Sequence, residues 1–250
     1  MTVRATDLVA DAARLFRRDR ELLLGLAGPF WFLPAFALAL LIPPAPGLPE
    51  GAARGTPEAN AAIQAFAQWL TTYGGWYLLG VAIGAWGTAT VYTLYLDRER
   101  PTLGEALGRA AALWPRFMLM SLLVGMMALG GLALLWLPGL YILGRFMPAG
   151  PALVAERPLS AVGAIGRGFA LTRGAGLPLT GVTAATLALS WFVPQPLLAL
   201  DAWLRDRPGG ANPLALATVD ALAAALAALA ALVTALLAVA AYRRLASRGT

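Results

Sequence analysis

Apolar positions gather into six stretches, residues 22–42, 73–96, 117–137, 140–155, 177–193 and 214–242, separated by shorter segments in which arginine recurs. Most are close to the ~20 residues that a helix needs to cross a hydrocarbon layer of ~30 Å. The third and fourth are divided only by Pro138-Gly139, which reads as a turn or as a kink. The first contains Pro34, a kink position, and the fifth ends at Pro194-Gln195-Pro196.

Three of the polar segments have a helical period of their own. In the middle one, Leu103, Leu107, Ala110 and Trp114 share a face opposite Glu105, Arg109 and Ala112, while Thr102 and Glu105 make a capping-box pattern after Pro101. Ala106-Leu107-Gly108-Arg109 with Ala112-Leu113 returns 58 residues later as Ala164-Ile165-Gly166-Arg167 with Ala170-Leu171. The amino-terminal segment matches more weakly, with Val9, Leu15, Phe16 and Arg18 against Leu107, Leu113, Trp114 and Arg116, and with Thr6 or Asp7 able to cap its start. The pattern predicts three repeat-like units, residues 1–96, 97–157 and 158–250 of a single transmembrane domain 1–250. Each unit is an amphipathic interfacial helix followed by a helical hairpin.

Charge gives the arrangement a direction. All nineteen cationic residues are arginine, and fifteen of them lie in the amino-terminal segment, the two internal segments and the carboxyl end, with Arg54, Arg205 and Arg207 on the other side and Arg145 inside a span. This split requires a hairpin at Pro138-Gly139, and it predicts an all-α protein of six spans with both ends cytoplasmic. Trp69, Tyr73, Trp76, Trp136, Tyr141, Trp191 and Trp203 fall near the outer boundary, and Tyr92, Tyr95, Trp114 and Tyr242 near the inner one; Trp31 and Trp86 fit neither belt and read as packing residues. The basic start is too long for a cleavable leader, so the first span reads as retained.

Composition agrees and removes whole classes of chemistry. The chain is 59% hydrophobic and 13% charged, against roughly 25% charged for a soluble domain. It has no Cys or His, hence no disulfide, thiolate catalysis or common transition-metal site, and the pattern holds no phosphate loop, nucleophile elbow or nucleic-acid module. No cofactor and no nucleic-acid partner is expected. With a net charge of +6, the expected counter-charge is anionic phospholipid, contacted by Arg14, Arg17, Arg18, Arg109, Arg167 and Arg173. All-arginine, alanine-rich usage points to a GC-rich bacterial genome.

Few side chains remain for a site. Arg145 lies about 9 Å from the outer end of its span and Asp220 about 10 Å from the outer end of the last, a depth match that predicts an intramembrane pair or a shared polar cavity; the alternative is a last span that overshoots the bilayer and brings Asp220 to the surface, with Arg145 snorkelling outward. Glu156 is placed to bond the amides of the next helix, which Ser160 caps, or to pair with an arginine of another repeat. Gly80, Gly84 and Gly87, Ser121 with Gly125, and the run 221–231 are close-packing positions, serving either the fold or a homo-oligomer.

Between residues 138 and 174 the chain resembles a known family. Pro138-Gly139-Leu140-Tyr141, Arg145, Pro151-Ala152-Leu153-Val154-Ala155-Glu156, Ala164 and Leu171-Thr172-Arg173-Gly174 resemble the glycerophosphoryl diester phosphodiesterase membrane-domain family of bacterial proteins. Gly168, Phe169 and Leu177 depart from the Ser, Trp and aromatic residue usual there. The resemblance implies an integral inner-membrane protein; the phosphodiesterase activity in the name belongs to a separate soluble domain. The reading is therefore a non-enzymatic membrane protein that meets anionic phospholipids or membrane partners through its basic helices. The alternative is a small transporter or channel with a polar path near Arg145, Asp220, Thr183 and Thr186.

Overall fold

The computed structural model describes residues 4–47, 55–134, 136–205 and 212–247; Arg54, Arg207 and Arg248 lie outside the described residues. Among the described residues every regular element is helical: α1 (Ala5–Arg18), α2 (Arg20–Ala27), a π-helical turn (Gly28–Phe32), α3 (Leu33–Leu41), α4 (Pro57–Leu96), α5 (Leu103–Leu134), α6 (Trp136–Phe146), α7 (Ala149–Ala155), α8 (Ala161–Leu171), α9 (Gly176–Phe192), α10 (Gln195–Arg205) and α11 (Pro213–Ala246). Five stretches are long and apolar enough to cross a membrane: Arg20–Leu41, Pro57–Leu96, Leu103–Gly131, Gly176–Arg205 and Pro213–Ala246. They coincide with five of the six apolar runs of the sequence. The run 140–155 is broken into α6 and α7 at Met147-Pro148, because Pro148 has no amide for the helical ladder and Pro151 follows within a turn.

The boundaries follow from local chemistry. Thr56 accepts from the Ala59 amide ahead of Pro57, and Ser160 accepts from Gly163 at the start of α8. Glu105 takes up the Thr102 amide at 2.8 Å, the reciprocal half of a capping box. The α1 start departs from expectation: neither Thr6 nor Asp7 caps it, and Arg4 stands at the cap position without a side-chain bond. The middle amphipathic segment also differs from a separate interfacial helix. It runs on into the following span as α5, 32 residues with Pro115 inside, and Trp114 anchors it by donating to the Ala82 carbonyl of α4.

Glycines set the helix spacing. Added Cβ atoms at Gly80, Gly84 and Gly87 would lie 3.1 Å from Leu38, 3.3 Å from Trp31 and 2.6 Å from Phe30, so these three residues seat the first span against α4. The reversal between α5 and α6 brings Gly131 against Gly139, where a Cβ would stand 2.9 Å from the opposing Cα. The hairpin expected at Pro138-Gly139 is not there: both residues lie within α6, with Pro138 in its first turn, where the missing amide costs no intrahelical bond. Trp31 and Trp86 are packing residues, with Trp86 edge-on to Phe30 at 5.5 Å and bonded to the Leu107 carbonyl.

Packing density is uneven along the bundle. α11 is the hub, touching α1, the first span, α4, α7, α8, α9 and α10, and its alanines let those neighbours approach. Its segment from Ala235 to Ala241 is buried all round, and with Leu8, Leu23, Val91, Leu153 and Leu179 it forms a dense core toward the arginine-rich end. The other end carries exposed apolar side chains, Trp76, Trp136, Leu137, Trp191, Phe192 and Leu214 among them. That distribution is expected where lipid is the solvent.

Candidate functional site

The ends of α1, α4, α5, α7, α8 and α11 carry a network of four ion-pair groups. Arg109 on α5 donates to Asp97 at 2.9 Å and to Glu99 at 2.5 Å, and Arg157 lies 3.8 Å from the same Asp97. Arg167 on α8 donates to Glu156 at 2.7 Å, and the other oxygen of Glu156 accepts from the Tyr242 hydroxyl of α11. Asp11 on α1 binds Arg244 of α11 and Arg14 of its own helix, while Asp7 accepts from Arg244 at 3.3 Å. Asp19 accepts from Arg18 and from Tyr95, whose carbonyl in turn takes a bond from Arg243.

At Asp11, Asp19 and Asp97 these contacts favour the charged form. The hydrogen bond from Arg244 is the largest influence on Asp11 and sets its pKa below the ordinary carboxylate range against the opposing effect of burial. Asp19 is lowered chiefly by its bond from Arg18. Burial is the largest influence on Asp97 and pushes upward, but the Arg109 bond, the Glu99 amide and the charges of Arg109 and Arg157 together carry it below its usual value.

The network redistributes the expected lipid contacts. Arg14, Arg18, Arg109 and Arg167 each have a carboxylate partner. Arg17 and Arg173 are exposed and have none among the described residues, which is equally true of Arg4, Arg20, Arg98, Arg100 and Arg116. Glu156 takes the second of its two expected roles, pairing with an arginine instead of the amides that Ser160 caps.

The expected pair of Arg145 and Asp220 is not formed. Arg145 donates from Nε to Thr172 at 2.6 Å, from one terminal nitrogen to the Tyr141 hydroxyl at 2.8 Å, and from the other to the Phe169 carbonyl at 2.8 Å. Its guanidinium also lies over the Phe169 ring, 4.9 Å from the centroid, and over Tyr141 at 5.6 Å. Asp220 is 3.9 Å from Arg205, which donates to Asp201 at 2.8 Å. Counting depth along one straight span placed Arg145 opposite Asp220; the break at Met147-Pro148 instead leaves it at the end of α6, beside the turn from α8 to α9. Gly174 makes that turn with φ +74°, and Gly176 admits the Tyr141 ring, which a Cβ would meet at 3.0 Å.

A cavity of about 520 Å³ lies among α4, α5, α6, α9 and α11, lined in part by Thr183 and Thr186. Neither Arg145 nor Asp220 belongs to its wall, so the four residues of the expected polar path are not on one surface. Among the described residues no cluster of three carboxylates is positioned for a metal ion. Sequence reasoning missed α10 and its Asp201, although the Asp201–Arg205 spacing of four is a helical ion-pair signal. No family model, curated protein or solved structure matches the chain.

Proposed function

We propose that the chain is a non-enzymatic protein of the bacterial cytoplasmic membrane, crossing it six times with both ends inside, and that its basic end holds anionic phospholipid headgroups. One observation carries this reading: the arginines divide into a set bound to carboxylates within the fold and an exposed set, Arg17, Arg116 and Arg173 among them, without such partners. An exposed arginine beside a lipid surface takes phosphate as its counter-charge, at about 1 kcal/mol each. The positive-inside rule supports the orientation. A sixth crossing is supplied by α6 and α7 together, whose interruption is buried by α4, α5, α8 and α11, the setting in which a broken helix is tolerated in a membrane.

Three equivalent units support the same reading. The alignment of the amphipathic segments puts the first helical residues Ala5, Leu103 and Ala161 in register, and likewise Leu8, Ala106 and Ala164, all 0% exposed. It also aligns Asp11, Arg109 and Arg167, and each of these reaches the charged end of a different span: Arg244, Asp97 and Glu156. The first unit has the two signs exchanged. A relationship to the glycerophosphoryl diester phosphodiesterase membrane-domain family is supported by the meeting in space of Tyr141, Arg145 and Thr172, residues that carry the resemblance.

The test is native mass spectrometry of the detergent-purified chain against phosphatidylglycerol and phosphatidylcholine. The wild type is expected to retain the anionic lipid preferentially. Replacing Arg17, Arg116 and Arg173 together by Gln is expected to remove most of that preference without lowering the melting temperature. Equal retention of the two lipids by the wild type would overturn the reading.

A further inference from the structure

The cleft among α4, α5, α6, α9 and α11 carries a set of hydroxyls on an apolar wall: Thr88, Ser121, Thr183, Thr186, Ser190 and Thr234. Its floor toward the basic end is closed by Tyr92 and Phe117, ring centroids 5.9 Å apart, and by Phe146, all buried. Val81 and Leu187, at its wall, are exposed and mark where it meets the surroundings of the bundle. Among the described residues no charged side chain contributes to the lining.

The hydrogen-bonding state of these hydroxyls defines what they can receive. Thr88 donates to the Gly84 carbonyl, Thr186 to Val182, Ser190 to Thr186 and Thr234 to Ala230, each within its own helix. A hydroxyl whose proton is committed in this way has only lone pairs left to offer. Thr183 is different: its Oγ1 is buried and has no partner, although the Leu179 carbonyl is one helical turn away. Ser121 likewise has no bond to another described residue. The wall is therefore a set of acceptors with two uncommitted hydroxyls, in an otherwise hydrocarbon-like space.

We infer that this cavity binds an uncharged amphiphile, an aliphatic chain ending in a hydroxyl or amide group that donates into the acceptor set near Thr183. The volume of about 520 Å³ lies in the range of ~300–1,000 Å³ typical of small-molecule sites. An ionised head is disfavoured because no counter-charge faces the space; an ester can only accept from Thr183 and Ser121 and leaves the lone pairs of the committed hydroxyls unmatched, and a hydrocarbon matches neither. The inference is independent of the arginine collar, which lies beyond the aromatic floor.

Two substitutions interrogate the site without disturbing the fold. Gly125 belongs to the wall, and a Cβ there meets nothing within 4 Å, so Gly125→Phe extends a ring into open space. Thr183→Val is nearly isosteric and removes a hydroxyl that has no protein partner. The full chain, purified in an amine-oxide detergent that has no hydroxyl of its own, is titrated with monoolein, methyl oleate, oleate and octanol, and bound ligand is read by native mass spectrometry. Monoolein is expected to be retained at one per chain, with methyl oleate and oleate at least about tenfold weaker. Thr183→Val is expected to lower monoolein retention about tenfold, and Gly125→Phe to abolish it, at unchanged melting temperature. Tight octanol binding would identify the occupant as a small alcohol, and weak octanol binding as a single-chain lipid; each is consistent with the inferred chemistry. Retention of monoolein by Gly125→Phe, or equal binding of methyl oleate and monoolein, overturns it.

Discussion

Arg145 reaches three acceptors on two elements from one planar group, Tyr141, Thr172 and the Phe169 carbonyl, and a lysine at the same place could not match that fork. Arg145→Lys is therefore expected to destabilise the chain by about 1–2 kcal/mol, and a double-mutant cycle with Thr172→Val to show coupling near ~1 kcal/mol. The same cycle with Asp220→Asn should show additivity within ~0.5 kcal/mol, since the two residues share no partner. Unfolding by dodecyl sulfate followed by circular dichroism gives these values; coupling to Asp220 as large as that to Thr172 would contradict the geometry. Glycines offer a second residue-scale contrast. A Cβ at Gly144 would stand 2.7 Å from the Thr180 amide nitrogen, a backbone atom that cannot swing away, so Gly144→Ala is expected to cost about 1–3 kcal/mol. At Gly125 there is room, and alanine there should be neutral or stabilise by up to ~1 kcal/mol. A sequence shows that both are glycines but not which one another backbone approaches.

Helices were legible where their chemistry was local. Ser160 caps as its position predicts, Glu105 supplies the carboxylate half of its capping box with Thr102, and five apolar runs became five long helical stretches, because periodicity and caps act within a few residues of chain. Besides α10, two elements escaped for opposite reasons. The first sixteen residues of α4 are too polar to register as a span, although Thr56-Pro57-Glu58 is a helix-start signal, whereas residues 140–155 are so apolar that Pro148 and Pro151 were outweighed and α6 and α7 read as one helix. Pairing between elements was legible only for Glu156, which the sequence offered to an arginine of another repeat; Asp11 and Arg244 are neighbours only after the last helix has returned beside the first. That contact makes an element-scale prediction. Asp11→Arg and Arg244→Asp should each loosen α1 from α11 and lower the melting temperature, and the exchanged double variant should recover most of the loss. It would also give the first unit the charge order that Arg109 with Asp97 and Arg167 with Glu156 have in the other two. A double variant no better than the worse single would sink the proposed equivalence.

At the scale of the molecule the bundle is dense at its arginine-rich end and loose at the end of Trp76, Trp136 and Trp191, and the ion-pair network is what ties the dense end together. Its dependence on pH follows from three of the carboxylates outside the spans. Asp11, Asp19 and Asp97 have pKa values lowered in the folded chain, so their contribution is fully present above the unfolded value of ~3.9 and is lost as pH falls through the folded values. The melting temperature in detergent is thus expected to hold steady from pH 7 to about 5 and to fall below about pH 4, where the proton competes with the guanidinium. Asp11 is partly solvent-exposed, so its share is modest, on the order of 1 kcal/mol. The variant Asp11→Asn should melt lower at pH 7 and lie closer to the wild type in acid, because only the wild type has a charge there to lose. A wild-type melting temperature that already declines between pH 7 and 5 would mean that groups with raised pKa values, and not these arginine-bound carboxylates, hold the basic end together.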